Sequence, residues 1–344
     1  MAGLAEIARA AGVSVSTVSR VLNRRAGVNE ETRQRVLAVL AEMPYTPRGL
    51  GALRRTGVIG LLVPELSNPV FPAFAEALET RASRLGYASL LCNTRSASMR
   101  EEEYVRMLLA RGVEGMVFVS PEIANTGGED PGYYRKLLAE GVRMVFLNGG
   151  APALDVPDVA VDEQLAGYLA TRHLVELGHT RIGFVSGPGR SLPSRLKRAG
   201  WAAGLEEAGI VPDPTLVAHA PFGAEGGAEA AARLLEGPGT RPTAVICSSD
   251  HMALGVLREA HRRGTKVPGE LSVVGFDGIP MASYCAPALT TLAQPIDEMA
   301  RAALDELLQR LDPDGHEGPG GSYSRVFRPR LVVRESSGPA PSRV

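Results

Sequence analysis

The chain is expected to fold as a small helical head followed by a large α/β body of two doubly wound lobes. Three observations point there: a basic, helix-patterned stretch over residues 1–55, an alternation of short apolar runs with amphipathic stretches from Gly57 onward, and a repeat of that order in the second half. At 344 residues the chain is long enough for two or three units.

The head comes first. Residues 4–11, 15–22 and 29–42 read as helices, with apolar stripes at Leu4, Ile7, Ala8 and Ala11, then Val18, Val21 and Leu22, then Val36, Leu37, Leu40 and Met43. The link "AGVS" supplies a Gly for a tight turn and Ser14 as an N-cap, which makes the first two helices a helix-turn-helix. Its second helix turns Val15, Ser16, Ser19 and Arg20 away from the core. Small side chains let a helix come close to base edges in a major groove, and an arginine there can contact guanine with two hydrogen bonds. Charge agrees: the net charge is −1, yet residues 1–55 hold nine Arg against four Glu, so a basic end sits on an acidic body. That asymmetry suits a chain with one end on a polyanion.

Residues 47–56 link the head to the rest of the chain, and 57–335 are expected to form the two-lobed body. Apolar runs such as "GVIGLLV", "GMVFV", "RMVFL", "RIGFV", "TAVICS" and "LSVVGF" alternate with helical stretches such as "FPAFAEALETRASRLG", "AGYLATRHLVELG" and "DHMALGVLREAHRRG", several closed by a C-terminal Gly. Continuous apolar strands between helices imply parallel sheets covered on both faces. "GVIGLLVPE" with its helix is echoed by "RIGFVSGPG" with its own, which puts the lobe boundary near residue 160 and a ligand cleft at the carboxyl ends of the strands. "VFRPRLVVRE" reads as a late strand pair crossing back to the first lobe, "DPDGHEGPGGS" as a surface loop, and residues 336–344 as a flexible tail.

Several function classes are set aside. Cys92, Cys247 and Cys285 lack metal-ligand spacing and read as thiols of a reducing cytoplasm, two of them in apolar runs. "MAGLAEIARA" is not a signal peptide, and no apolar run is long enough to span a membrane, so a cytoplasmic protein is expected. No phosphate loop, metal-spaced His/Cys cluster or nucleophile elbow is present, so neither catalysis, a metal nor a cofactor is expected. His179 in "LGHTRIGF" sits at a helix-to-strand turn and reads as structural. A transporter's solute-binding protein would share the two lobes, but the basic head and the missing export signal argue against it.

The strings "LAEIARAAGVSVSTVSRVLN" and "VNEETRQRVLAVLAEMPYTP", followed by "LVELGHTRIGFVSGP", "LSVVGFDGIP", "PALTTLAQPIDEMA" and "PRLVVRESSGP", resemble the lac repressor (LacI/GalR) family over nearly the whole chain. The resemblance implies Rossmann-like lobes of the periplasmic-binding-protein type and a DNA-binding transcription regulator, most often a repressor. Its expected partners are a palindromic operator in the bacterial nucleoid, a second copy of the chain, and a sugar-like effector. Val15, Ser16 and Arg20 match base-reading positions, and Thr17, Ser19, Asn23, Asn29 and Thr32 match phosphate-contacting ones. Leu53, with Leu50 as the alternative, matches the residue that wedges into the minor groove. The hinge "RGLGALRRTGVIG" is shorter than the family's and carries Gly49 and Gly51, each costing a helix up to about 1 kcal/mol.

In the cleft the resemblance places Phe71 and Phe222 as aromatic flanks, Asp162 and Asp277 as acids, and Ser249 where relatives often have Asn. Asp250 reads as the N-cap of the next helix. Lys197 falls where relatives commonly have Arg, in a chain with three Lys among 37 basic residues. Either this compact point charge enters the cleft and the effector differs from the commonest sugars, carrying one anionic or single-acceptor group, or Arg195 or Arg198 does the work and Lys197 stays at the rim.

Overall fold

In the computed structural model, residues 4–22, 28–42, 56–95, 99–126, 131–149, 154–236, 241–311 and 324–341 are described. The chain divides into two compact units, Met1–Arg54 and Arg55–Val344.

The head holds α1 (Leu4–Ala10), α2 (Val15–Leu22) and α3 (Glu30–Glu42). Gly12, at φ 64°, makes the turn between α1 and α2, a conformation open to glycine at little cost. Ser14 Oγ then caps α2 by accepting the Thr17 N–H at 3.2 Å. Ile7, Ala8, Ala11, Val18, Val21 and Val36 form the core, with Val13, Val28 and Val39 packed against it. The third stripe differs from expectation: Leu37 is 45% exposed and Val39 takes the inward place. A one-residue choice inside "RVLAVLAE" decides this, and both choices satisfy a 3.6-residue period beside Val36.

The body contains two six-stranded sheets. The first comprises β1 (Val58–Val63), β2 (Ala88–Asn93), β3 (Gly115–Val119), β4 (Met144–Leu147), β5 (Asp158–Val161) and β11 (Ser324–Phe327), all parallel, in the order β11-β5-β4-β3-β1-β2. The second comprises β6 (Ile182–Ser186), β7 (Val217–His219), β8 (Ala244–Cys247), β9 (Ser272–Asp277), β10 (Thr290–Ala293) and β12 (Arg330–Val332), in the order β12-β10-β9-β8-β6-β7. Only β12 runs antiparallel to its neighbour there. In each sheet the order reverses at its first strand, β1 or β6, the kind of switch point where α/β sheets open a crevice.

Helices α4 (Val70–Arg84), α5 (Glu101–Ala110), α6 (Glu122–Asn125) and α7 (Gly132–Ala139) belong to the first lobe. Helices α8 (Glu163–Glu176), α9 (Leu192–Glu207), α10 (Ala224–Leu234) and α11 (Asp250–Arg262) belong to the second. The chain crosses between lobes after β5, after β10 and after β11. Two expectations change accordingly. Helix α12 (Ile296–Leu311) packs on α4, β3, β4 and β5 of the first lobe, and the expected late strand pair is split, β11 joining one sheet and β12 the other.

The tail is a further correction over residues 336–341, which are tied down rather than flexible. Ser336 is fully buried, donates its hydroxyl to Val273 O at 2.6 Å and accepts the Thr290 N–H at 2.8 Å. The Ala340 N–H reaches Leu177 O at 2.8 Å. His179 is the anchor. It sits 2.8 Å from Thr243 Oγ1 through Nδ1 and 3.0 Å from Gly338 O through Nε2, and burial lowers its pKa. Small polar and Gly/Pro composition signals disorder only when the backbone groups lack partners, and here the second lobe supplies them.

Candidate functional site

Two surfaces are candidates. On the head, Val15, Ser16 and Arg20 are exposed along α2, and Thr17 is partly exposed. Val15 is a large aliphatic residue left 46% exposed on an eight-residue helix, beside a seryl and a guanidinium group. Asn29 Oδ1 accepts the Thr32 N–H at 2.8 Å, so Asn29 is the N-cap of α3 and its side-chain carbonyl is already engaged. Thr32 is half-buried. The Ser19 side chain, Asn23, Leu50, Leu53 and the hinge through residue 55 lie outside the described residues, as does the tail beyond residue 341.

The second surface is a cleft between the two lobes. Its lining comes mostly from the carboxyl ends of strands and the helix starts that follow. The first lobe supplies Glu65, Asn68, Phe71, Phe74, Arg95, Ser120, Asn125 and Asn148, and the second Glu163, Ser191, Lys197, Phe222, Ser248, Ser249, Phe276 and Asp277. Gln294, on the crossover between β10 and α12, lies between them. Among the described residues, the three non-glycine residues with positive φ are Ser120 (50°), Asn148 (58°) and Asp277 (129°), and all three line this cleft. Backbone held in costly conformations clusters where function demands a side chain in one place.

Lys197 enters the cleft. It is 5% exposed, forms an ion pair with Glu163, and sets Nζ 3.8 Å from the centroid of the Phe276 ring. Arg195 and Arg198 are exposed and do not line the cleft, so the arginine alternative is the one the geometry disfavours. Helix α9 brings Lys197 in because it lies against α8 with almost no gap. A Cβ on Gly200 would sit 1.9 Å from Gln164 O, and one on Gly167 would sit 1.9 Å from Lys197 O.

Asp162 is not in the lining. Its Oδ1 caps α8 by accepting the Leu165 N–H at 2.8 Å, and the adjacent Glu163 supplies the acid instead. Burial raises the Glu163 pKa, and the Lys197 ammonium opposes that rise. Ser249 lines the cleft and caps α11, its Oγ accepting the Met252 N–H at 3.1 Å. Asp250, expected as that cap, does something else. Its Oδ2 accepts from the Gly278 and Ile279 N–H groups at 2.8 and 2.9 Å, and its Oδ1 from the Thr291 hydroxyl at 2.6 Å. It thereby clamps the loop that presents Asp277. Burial raises the Asp250 pKa to about 6.

Asp277 is 5% exposed, and its Oδ1 accepts from Gln294 Nε2 at 2.9 Å. Gln294 Oε1 in turn accepts from Asn148 Nδ2 at 2.8 Å, and Asn148 Oδ1 from the Val161 N–H at 3.0 Å. A hydrogen-bonded line therefore runs from one lobe to the other through the crossover between β10 and α12. Burial, reinforced by Asp250, lifts the Asp277 carboxyl well above the usual carboxylate range. Its Oδ2 and the Ser191 Oγ have no partner among the described residues, although both are buried. Phe71 and Phe222 flank the same space, Phe222 so close to Gly187 that a Cβ there would lie 2.4 Å from the ring.

Thus the structure brings Phe71, Lys197, Phe222, Ser249 and Asp277 together and leaves Asp162 and Arg195 out. Glu163, Asn148, Gln294 and Arg95 are lining residues that the sequence reading did not single out. "VDEQ" held the signal for Glu163, since a cap turns its own carboxylate to the backbone and leaves the next acid free. Among the described residues no cluster of His, Cys, Asp or Glu is arranged to hold a metal ion, and no helix is long and apolar enough to cross a membrane.

Comparison with known proteins finds relatives of both the head and the body. Residues 3–48 match the model of the bacterial regulatory proteins of the lacI family, and residues 171–337 match a periplasmic binding protein-like domain. The chain is 40% identical over 342 residues to the HTH-type transcriptional regulator MalR of Streptomyces coelicolor, covering 98% of this chain and 97% of the relative. A solved complex of the transcriptional regulator CelR with cellobiose superposes with a TM-score of 0.72 at 29% identity, over 98% of this chain and 100% of that one. The lac repressor dimer bound to operator and the anti-inducer ONPF superposes with a TM-score of 0.70 at 28% identity, over 98% and 99%.

Proposed function

Because the chain belongs to the lacI family of bacterial regulatory proteins, it is a DNA-binding transcription regulator and not an enzyme, and we propose that a saccharide held between its lobes sets how tightly the head holds its operator. The observation that carries this reading is the cleft's unspent polarity. Asp277 Oδ2 and Ser191 Oγ are buried without partners beside two aromatic rings. A buried polar atom left unpaired costs about 1–3 kcal/mol. A ligand with several hydroxyls and an apolar ring face supplies what both kinds of group lack.

Against the expectation of an anionic group on the effector, the charges favour a neutral ligand. Lys197 and Glu163 already answer one another, so an anion would have to break a buried pair. The solved cellobiose complex of a relative supports the same class. A saccharide contacting Asp277 and Ser249 on one lobe and Phe71 on the other would bind best with the lobes at one particular closure, and it shifts the population toward that arrangement. The head is joined in sequence to β1 of the first lobe, so lobe closure is coupled to the spacing of two heads in a dimer. Two-fold symmetry of a homodimer would be matched by a palindromic operator, as the operator-bound dimer of the lac repressor supports. Operator affinity and saccharide affinity then change each other by the same factor.

Thermal denaturation of the full chain against neutral saccharides, sugar phosphates and nucleobases tests the reading. One or more neutral saccharides should raise Tm with a saturable concentration dependence. A rise with nucleobases alone, or with no compound of the panel, would contradict a saccharide cleft.

A further inference from the structure

The cleft continues past Phe222 into a second, larger space, open to solvent, that shares Arg95, Ser120, Asn125 and Phe222 with the inner one. Resting on the saccharide reading above, we infer that the effector is an oligosaccharide of at least two units, its first ring in the inner space and its second in the outer one.

The outer walls have the chemistry of a sugar subsite. Thr94, Arg95, Arg100, Glu122, Asn125 and Thr126 bring donors and acceptors together, with Pro64, Pro188 and Phe222 as the apolar complement. Hydroxyls both donate and accept, so they pair with such a mixture. A phosphate is served less well: Glu122 lines the same space as Arg95 and Arg100, and the Glu65 and Glu122 carboxylates act on Arg95 and offset part of the positive field a dianion needs. Phe222 lines both spaces and stands at their boundary, where the missing side chain of Gly187 leaves room for its ring.

The outer wall is also built with care. The Glu122 N–H, at the start of α6, donates to Glu101 Oε2 at 3.3 Å, and the Tyr134 hydroxyl donates to Glu101 Oε1 at 2.5 Å. Glu101 is 4% exposed, so a buried acid is used to fix the short helix that carries Glu122 and Asn125. Ser120, with its strained backbone at φ 50°, marks the passage between the two spaces.

The test is calorimetric titration of the full chain with glucose, galactose, maltose, cellobiose, lactose and glucose 6-phosphate. At least one disaccharide should bind about tenfold or more tighter than its own monosaccharide units. Arg100→Ala and Thr126→Trp, which touch only the outer space, should each reduce that ratio to within about twofold, a difference of less than ~0.5 kcal/mol. Circular dichroism and Tm confirm that each variant is folded, and either one suffices. Monosaccharides binding as tightly as disaccharides would overturn the two-unit inference while leaving the saccharide reading intact. Glucose 6-phosphate binding tighter than every neutral sugar, or a ratio unchanged in both folded variants, would overturn it as well. Absence of binding by all six would overturn the saccharide reading and this inference together.

Discussion

Lys197 and Glu163 show how much one residue pair can decide. Both are more than nine-tenths buried, and each is the other's counter-charge. Lys197→Ala would strand the Glu163 carboxylate, and truncating one partner of a buried pair costs about 3–5 kcal/mol. Chemical denaturation should show that loss, while the double replacement Lys197→Met with Glu163→Leu should recover most of it and still fail to bind saccharide. A second prediction concerns pH. Burial raises the Glu101 pKa from 4.5 to about 7. The folded chain then keeps this proton where the unfolded chain has lost it, so the stability contributed below pH ~4.5 is lost as pH rises towards ~7. Glu101→Gln removes the titration, and the fall in unfolding free energy between pH 5 and pH 8 should shrink by an amount on the order of 3 kcal/mol. An unchanged pH slope would contradict the buried-acid assignment. At this scale the sequence was only partly legible. Lys197 stood out against an arginine-rich background, whereas Asp162 and Glu163 are neighbours whose roles depend on which one caps α8.

The α8–α9 pair is the element on which the site depends. Their backbones meet at Gly167 and Gly200, and the same approach sets Lys197 beside Phe276. Gly200→Ala must push the helices apart. It should cost about 1–3 kcal/mol or somewhat more, since the obstacle is backbone and not a mobile side chain. It should also weaken saccharide binding in the same titration. Retained stability and affinity would mean that the helices are not so closely held. The alternation of strand and helix was readable because continuous apolar runs and Gly-closed helices carry it locally. Helix α12 and strands β11 and β12 were not readable in the same way, because amphipathicity says that a helix is covered and not by which lobe. The tail's anchoring was hidden for a related reason: His179 and Ser272 meet Gly338, and Ser336 meets Val273, only in the folded second lobe.

For the whole molecule, the cleft and the crossovers share residues. Gln294 lies on a crossover and joins Asp277 of one lobe to Asn148 of the other, so whatever engages Asp277 bears on the link between lobes. Gln294→Leu should therefore reduce the ratio of operator affinities measured with and without saturating saccharide, and an unaltered ratio would remove Gln294 from the coupling. Arg20→Ala should lose roughly 1–3 kcal/mol of sequence discrimination and keep the saccharide-induced rise in Tm. The two-unit division makes those effects separable. The most direct test of the account is fluorescence anisotropy with a DNA duplex that the full chain has itself selected from a random-sequence pool. The titration is run with and without the saccharide that raises Tm. The account predicts a change of about 5- to 150-fold in DNA affinity, the usual range of coupling between two sites. Identical affinities at saturating saccharide would show that the cleft does not govern the head.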